Sequence, residues 1–439
     1  MFRYLTLPLF ITLLLLGCST SSDPEELNYT PCLDGMSEQY PCDNVELYAH
    51  LTPEELGGER LNDVWGWIDP ETAREYALVG LTDGISFVDV TNPAEPVVLG
   101  KLLESTAENT PEANPLMARH DETEGSKGAS SWRDMKVFNN VMYVVSDGQA
   151  EHGMQVFDLT RLRHIQGSPE DFREDYLYSR IGNAHNIAIN EDSGYAYIIG
   201  STNGNICAEQ GGLHIVDLNG NPLRPEYAGC HVEPEAGGVI RDGYIHDTQC
   251  VNYSGPDGRY AGSEVCFSSA ELSFLISDVS DKESPATISN THYEGAQYSH
   301  QGWLTEDQAY FFMNDELDEV RTGNNTRTLV WDVRDLEEPE LIGFYEHDTI
   351  AITHNLYVKG SLMYQANYTA GLRVLDVSNP LPESIRTLGY FNTTPDNNQA
   401  VINGRAQFLG LWSVYPYLSG DKVLVSDITN GLFVLRYSP

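Results

Sequence analysis

Basic residues are scarce in this chain of 439 residues. Lysine and arginine number 25 against 65 aspartates and glutamates, which gives a formal net charge of −40 at pH 7. A surface of this sign repels phosphate backbones and anionic lipid headgroups, so nucleic acid is excluded as a partner. The charge suits cations, cationic partners or a salty medium, and solubility alone accounts for part of it.

The short motifs of several large enzyme classes are also missing. No C-x-x-C, G-x-S-x-G, P-loop, GxGxxG or H-E-x-x-H sequence occurs. A Ser–His–Asp triad is a spatial arrangement that can escape a sequence scan, but no residue stands out as a nucleophile. The sequence therefore names no reaction and favours a role other than catalysis.

The N-terminal residues predict an export signal. Arg3 is the one charged residue there, and residues 5–16 form an apolar run that is too short to cross a membrane as a helix. Gly17 and Cys18 resemble a lipobox, which implies cleavage before Cys18 and its lipidation; the alternative is an ordinary signal peptide. The mature net charge becomes 24 − 65 = −41, because Arg3 is lost. Ser19 is not an Asp-type retention signal, so we expect a lipid anchor in the outer membrane of a Gram-negative bacterium, on the periplasmic side or at the cell surface.

Cysteine is sparse, with seven residues in all. Assigning Cys18 to lipid leaves six, and an even number in an exported chain predicts disulfides. Many connectivities are possible, and a metal or redox site is the alternative. Proximity in sequence favours the pairs Cys32–Cys42, Cys207–Cys230 and Cys250–Cys266.

One phrase recurs through the chain: glycine or another small residue, an alternating apolar segment, then aspartate and valine or leucine. The aspartates of its copies are Asp89, Asp158, Asp217, Asp278, Asp332 and Asp376. A seventh copy carries Arg436 instead. The phrase predicts a strand, because it is rich in β-branched and aromatic residues and is bounded by turn residues. Its aspartate predicts a turn cap and not a ring of catalytic acids.

Each copy is flanked by further strands, so the chain reads as seven units of about four antiparallel strands. A four-stranded unit of about 40–60 residues is typical of a propeller blade, which cannot bury its faces alone. The last unit stops after its third strand, and residues 45–51 read as the missing fourth. We therefore predict an all-β, seven-bladed β-propeller over residues 44–439, closed by an N-terminal strand, with six or eight blades as alternatives. Residues 1–17 form the signal peptide, and 18–43 form a lipidated tether and disulfide loop.

The phrases ending in aspartate resemble the LVIVD repeat of bacterial and archaeal surface proteins. The whole exported part is similar to the choice-of-anchor B family. The motifs that carry this likeness are Cys32-Leu-Asp-Gly-Met36 with Tyr40-Pro-Cys42, Tyr298-Ser-His300-Gln-Gly-Trp303, Asn314-Asp315-Glu316-Leu-Asp318-Glu319, His354-Asn-Leu-Tyr357 and Trp412-Ser-Val-Tyr415. Members are surface proteins that differ in their anchors. The resemblance implies a propeller and a cell-surface location, and it brings no reaction.

One position in the first strand of each unit is predicted to face a central channel. Round the ring it holds Trp65, Trp132, His185, His246, His300, His354 and Trp412. The four histidines come from consecutive blades, so they can converge at one mouth of the channel. Clustered neutral imidazoles can bind a transition metal or do acid–base work. The alternative is that each histidine hydrogen-bonds backbone or a neighbouring blade because the fold repeats.

A second candidate site is a run of carboxylates. Asp315, Glu316, Asp318 and Glu319 lie within five residues. Calcium takes six to eight oxygen ligands from flexible loops, so this run predicts a calcium site; a solvated acidic turn is the alternative.

Tryptophans form a third set of candidates. Trp65, Trp67, Trp132 and Trp412 are placed to line a mouth that binds sugar or peptide, or else to fill the cores of the blades.

These observations favour a binding or scaffold module: a lipid-tethered propeller that presents one face to an extracellular protein, peptide or glycan. The alternative is a metal-dependent enzyme that uses His185, His246, His300 and His354 in the channel. An enzyme of that kind needs a coordinated metal with an open position and a polar pocket around it.

Overall fold

The structure is a computed structural model that describes residues 28–105, 130–148, 152–202, 206–394 and 405–439. The predicted signal peptide and Cys18 lie outside these residues. Among the described residues, no helix is long and apolar enough to cross a membrane.

Strands make up most of the regular structure. The first sixteen are β1 (Met36–Ser37), β2 (Tyr40–Asp43), β3 (Val45–Leu51), β4 (Leu61–Ile68), β5 (Glu75–Leu81), β6 (Gly84–Asp89), β7 (Val97–Leu103), β8 (Arg133–Phe138), β9 (Val141–Ser146), β10 (Met154–Asp158), β11 (Glu170–Phe172), β12 (Tyr176–Tyr178), β13 (Asn186–Asn190), β14 (Tyr195–Ile199), β15 (Leu213–Asp217) and β16 (Glu226–His231). The others are β17 (Asp247–Asn252), β18 (Glu264–Ala270), β19 (Ser273–Asp278), β20 (Ala286–His292), β21 (Ser299–Leu304), β22 (Tyr310–Asp315), β23 (Arg327–Asp332), β24 (Glu340–Glu346), β25 (Leu356–Lys359), β26 (Leu362–Ala366), β27 (Leu372–Asp376), β28 (Arg386–Phe391), β29 (Leu411–Tyr415), β30 (Lys422–Asp427) and β31 (Gly431–Tyr437). The helices are short: α1 (Ile206–Gln210), α2 (Asp318–Thr322) and the 3-10 turns Leu159–His164 and Pro382–Ser384.

The described strands form seven sheets, each built on four antiparallel strands. Their innermost strands are β4, β8, β13, β17, β21, β25 and β29. Each of these contacts the next one round the ring, and β29 contacts β4, so the ring closes. The predicted seven-bladed propeller is therefore confirmed.

The N-terminal strand closes the last blade. β3 pairs with β31 along its whole length, as the sequence predicted. Arg436, which replaces the repeated aspartate in β31, lies 3.1 Å from a carboxylate oxygen of Glu46 in β3 and 2.6 Å from one of Asp421. Arg436, which breaks the aspartate pattern in the seventh copy, thus holds the closing strand in place.

Two blades carry additional strands. β11 pairs in parallel with β7 at the outer edge of the first blade. The β1–β2 hairpin, within the predicted disulfide loop, adds to β28 at the outer edge of the sixth. Both additions cover strand edges that would otherwise expose unpaired backbone groups.

The repeated aspartates cap turns, as predicted. Each accepts a hydrogen bond at Oδ1 from the backbone N–H two residues further on. The donors are the N–H groups of Thr91, Thr160, Asn219, Ser280, Arg334 and Ser378. This local bond ends the third strand of a blade and starts the turn to the fourth.

All three predicted disulfides are present. Cys32–Cys42 ties β2 to the loop before β1, Cys207–Cys230 ties α1 to β16, and Cys250–Cys266 joins the adjacent strands β17 and β18. Bonds of this kind persist in oxidising compartments, which agrees with an exported protein.

Candidate functional site

One end of the central channel opens into a cavity of about 530 Å³. His185, His246, His300 and His354 line it together with Glu316. The structure therefore brings together all four histidines that the repeat register predicted.

The four imidazoles form a continuous arc. Ring centroids are 4.4 Å apart from His185 to His246, 4.2 Å from His246 to His300 and 4.5 Å from His300 to His354. Trp412 follows His354 at 4.7 Å. The strand ladder shifts register by one residue at His300 and at Trp412, which is the effect of a β-bulge. A bulge re-aims the side chain that it carries, and both of these side chains face the cavity.

Bonds to the neighbouring blade fix several of these rings. His246 donates from Nδ1 to the backbone carbonyl of His300 at 2.8 Å, and His354 donates from Nδ1 to that of Trp412 at 2.6 Å. His185 Nδ1 lies 2.9 Å from Oδ2 of Asp147. A carbonyl oxygen only accepts, so the proton of His246 and of His354 is on Nδ1 and their Nε2 atoms keep a free lone pair. Three of the four histidines are thus hydrogen-bonded through Nδ1, as the structural alternative expected, and all four converge on one cavity. Whether they bind a metal stays a prediction.

Glu316 lies between two of the imidazoles. Its Oε2 is 3.6 Å from Nε2 of His300, and its Oε1 is 3.5 Å from Nε2 of His354. The hydroxyl of Tyr368 donates to Oε1 at 2.9 Å. One ligand atom from each of His300, Glu316 and His354 lies within 4.8 Å of the other two. Within the described ranges, no other cluster of three histidine, cysteine, aspartate or glutamate residues meets this spacing.

Burial sets the charge of these groups. It lowers the pKa of His246 and of His300 well below the ordinary value and lowers the pKa of His354 to about 3. It also raises the pKa of Glu316 to about 8, against the opposing effect of the Tyr368 hydroxyl. The three imidazoles are therefore neutral at pH 7, the state in which nitrogen can bind a metal ion or accept a hydrogen bond.

A charged layer lies deeper in the channel, and sequence reasoning missed its lysine, Lys136, and the carboxylate of Asp63. Lys136 Nζ is 2.5 Å from Asp134 Oδ1 and 3.5 Å from Asp63 Oδ2. Burial, followed by the nearby Asp134, raises the pKa of Asp247 to about 7. Lys136 and Asp247 line both the histidine cavity and a second cavity of about 390 Å³. Asp134 and Asp247 stand next to channel positions in the sequence, but only the closed ring shows that Lys136 lies with them.

The predicted calcium ligands point in different directions. Asp315 accepts from the backbone N–H groups of Gln297 and Tyr298, and Asp318 pairs with Arg327. Glu319 accepts from the hydroxyl of Thr353, and only Glu316 faces the channel. Asp315, Asp318 and Glu319 are each 2% exposed, so the run is not a solvated turn. A calcium ion at these residues stays a prediction, and the structure does not gather the four carboxylates around one point.

The tryptophans are divided among three places. Trp132 and Trp412 line the histidine cavity, and Trp132 is 45% exposed there. Trp65 lines the second cavity. Trp67 is buried, stacks 4.8 Å from Tyr76 and donates from its indole nitrogen to Asn140. The structure thus does not bring the four into one mouth.

The position of the bulge in β4 shows that Trp65 was assigned to the wrong register. The irregularity in β4 falls between Leu61 and Val64, whereas those of β21 and β29 fall at His300 and Trp412. Trp65 therefore lies beyond the position that corresponds to the histidines. A sequence alignment without the ladder could not show this offset.

Comparisons with known proteins support the repeat and the fold. The LVIVD repeat model matches residues 352–381, which contain the first three strands of the sixth blade. No curated protein sequence matches the chain significantly.

Solved structures share the fold at low identity. A protein from Lactobacillus plantarum is 13% identical with a TM-score of 0.52, over 86% of this chain and 98% of that one. Hydrazine synthase from Kuenenia stuttgartiensis is 11% identical with a TM-score of 0.51, over 82% and 92%. A β-propeller domain from Myceliophteria thermophila is 9% identical with a TM-score of 0.48, over 83% and 94%. For the first two structures the likeness concerns the fold alone, and the third carries no argument.

A propeller with this repeat is consistent with a binding or scaffold module. Three disulfides are consistent with an exported protein. The chain is a seven-bladed β-propeller that carries an LVIVD repeat.

Proposed function

We propose that this chain is an exported member of the choice-of-anchor B family, held by a lipid on Cys18 in an outer membrane. The lipobox-like Gly17-Cys18 and the three disulfides support this proposal. The propeller then faces the periplasm or the cell exterior on a polar tether.

Its ligand enters the histidine-lined mouth, and the observation that carries this part is the mixed character of that mouth. Ile240, Phe408 and Trp132 form an exposed apolar rim, with 59%, 45% and 45% of their surfaces accessible. Neutral imidazoles and carboxylates line the interior. Ligand-binding sites typically combine apolar and aromatic side chains with a few placed polar groups, as this mouth does.

A protein or peptide segment with basic side chains fits this mouth best. The chain's charge of −40 attracts such a segment and speeds its association. A glycan would meet the same Trp132 but would gain nothing from the charge.

Selection from a displayed peptide library and binding to a glycan array, both with residues 28–439, test this function. We expect a basic consensus peptide whose affinity falls at least about tenfold in the W132A/F408A variant, because buried aromatic anchors dominate peptide binding. The control V97A removes an exposed apolar side chain of the first blade, far from the mouth, and is expected to bind normally. Binding of glycans alone, or a peptide that ignores W132A/F408A, would contradict the proposal.

The second candidate function is a metal-dependent enzyme, and the grouping of His300, Glu316 and His354 favours it. Such an enzyme would act on a substrate held in the same cavity, and an ion with an open position would polarise that substrate. Ester, phosphoester and peptide hydrolysis measured with and without added Zn²⁺, for the unchanged chain and E316Q, tests this alternative. Hydrolysis that needs zinc and is lost in E316Q would support it.

A further inference from the structure

We propose that His300, Glu316 and His354 bind one divalent transition-metal ion in the mouth of the channel. This inference rests on the proposed ligand-binding role of the same mouth. It can nevertheless be tested without the peptide ligand.

The spacing of the three groups fits such an ion. The carboxylate oxygens of Glu316 lie 3.6 Å and 3.5 Å from the Nε2 atoms of His300 and His354. Ligands placed about 2.1 Å from a tetrahedral ion are about 3.4 Å apart. One ligand atom of each residue lies within 4.8 Å of the other two, so these atoms need to approach one another by at most about 1.4 Å to share an ion.

His354 also presents a free nitrogen to the carboxyl group. It donates its only ring proton from Nδ1 to Trp412, so its Nε2 directs a lone pair at an oxygen of Glu316. A divalent cation would be bound by that lone pair, by Nε2 of His300 and by the carboxylate of Glu316, which gives up its proton on binding.

Outer contacts hold two of the ligands in place. The bond from His354 Nδ1 to the neighbouring blade fixes that ring, and Tyr368 fixes the carboxylate of Glu316. Metal-binding histidines usually donate their second nitrogen to a carbonyl or carboxylate, and such contacts orient the ligand and strengthen its binding.

The donor set indicates which class of ion would bind. Two imidazoles and one carboxylate suit Zn²⁺, Fe²⁺ and related first-row ions, whereas Ca²⁺ and Mg²⁺ prefer oxygen ligands alone. The rest of the cavity leaves room for further ligands, and His246 is the next imidazole in the arc. We expect Zn²⁺ to bind strongly enough for direct measurement.

The test uses residues 28–439, purified without a histidine tag and stripped with a chelator. Dialysis against Zn²⁺, Fe²⁺, Mn²⁺ or Ca²⁺ is followed by elemental analysis, and calorimetry measures the Zn²⁺ affinity. The chain is expected to retain about one Zn²⁺, with affinity lowered at least about tenfold in E316Q and stoichiometric binding lost in H300A/H354A. The control H164A/H292A removes two exposed histidines outside the channel and is expected to bind like the unchanged chain.

Several results would overturn the inference. They are the absence of a stoichiometric transition metal, selective binding of Ca²⁺, full binding in H300A/H354A, and an equal loss in the control. E316Q preserves the shape of the side chain, so it keeps the test valid if the double variant does not fold. If the chain binds zinc but peptide selection finds no ligand, the proposed function alone is refuted. If the chain binds a peptide but no zinc, the metal site alone is refuted.

Discussion

Neutral histidines recur in the interior of the blades as well as in the channel. His214 in β15 is 2% exposed, and its Nε2 lies 2.8 Å from the hydroxyl of Tyr178. Burial, followed by the nearby Arg180, lowers the pKa of His214 to about 4. Such a residue makes folding depend on pH without taking part in any site.

Acid should therefore weaken the fold through His214. Between pH 6.5 and 4 the unfolded chain binds a proton at His214 and the folded chain does not. The contribution of neutral His214 to the unfolding free energy is therefore complete above pH 6.5 and is lost as the pH falls to 4. Between pH 7 and 5 the unchanged chain should lose about 2 kcal/mol more unfolding free energy than H214Q. Urea titration at the two pH values measures this difference. Identical pH dependence in both chains would contradict the assignment, and exposed His292→Gln is the control.

The repeated aspartates show how far local sequence reaches at the residue scale. Their turn bonds join residues two apart, so composition and spacing were sufficient to predict them. Glu316 is the opposite case. It was grouped with its acidic neighbours because they adjoin it in sequence, and only the closed ring shows that it lies between His300 and His354. A contact across blades leaves no local signal.

At the scale of elements, the blades were predictable because each repeats the same alternation of apolar residues and turns. The bulges were not, because a one-residue shift in the ladder leaves little trace in that alternation. The bulge in β4 lies between Leu61 and Val64, so the residue that matches the histidines is there and not at Trp65. Disulfide pairing followed proximity in sequence, because each pair closes a short segment with a separation of 10, 23 or 16 residues.

The Cys250–Cys266 bond should contribute to the stability of the fourth blade. It joins β17 to β18 and closes a loop with a sequence separation of 16 residues. The C250S/C266S variant should lose about 3 kcal/mol of unfolding free energy, because the unfolded chain gains conformational freedom. Urea unfolding without reductant measures this loss. When both chains are measured with reductant, their unfolding free energies should become similar. Equal unfolding free energies without reductant would contradict the prediction.

At the scale of the whole molecule, ring closure depends on one N-terminal strand. Val45 and Leu47 in β3 are buried against the last blade, and β3 supplies its fourth strand. Burying two such side chains contributes about 3–6 kcal/mol, a large part of the usual 5–15 kcal/mol of a folded domain.

Removing β3 should therefore open the propeller. The shortened chain 52–439 is expected to aggregate or to unfold at a much lower temperature than chain 28–439, because β31 and its apolar face become exposed. Solubility and thermal unfolding followed by circular dichroism distinguish the two chains. A folded, monomeric 52–439 chain of similar stability would show that closure by β3 is dispensable.

The proposed location depends on two residues near the N-terminus. C18S should abolish lipid attachment, so that the protein leaves the detergent phase on phase separation and mass spectrometry finds no acyl chains. S19D should keep the lipid but retain the protein in the inner membrane, which membrane fractionation measures. A C18S protein that still partitions into detergent would contradict lipidation at this cysteine.

The central claim is that the ring of blades assembles a metal-binding mouth from His300, Glu316 and His354. Anomalous diffraction at the zinc edge, from crystals of chain 28–439 grown with Zn²⁺, tests it most directly. The account predicts one strong anomalous peak in the channel, about 2.1 Å from Nε2 of His300, Nε2 of His354 and an oxygen of Glu316. A channel without a peak, with zinc bound only at surface carboxylates, would contradict it.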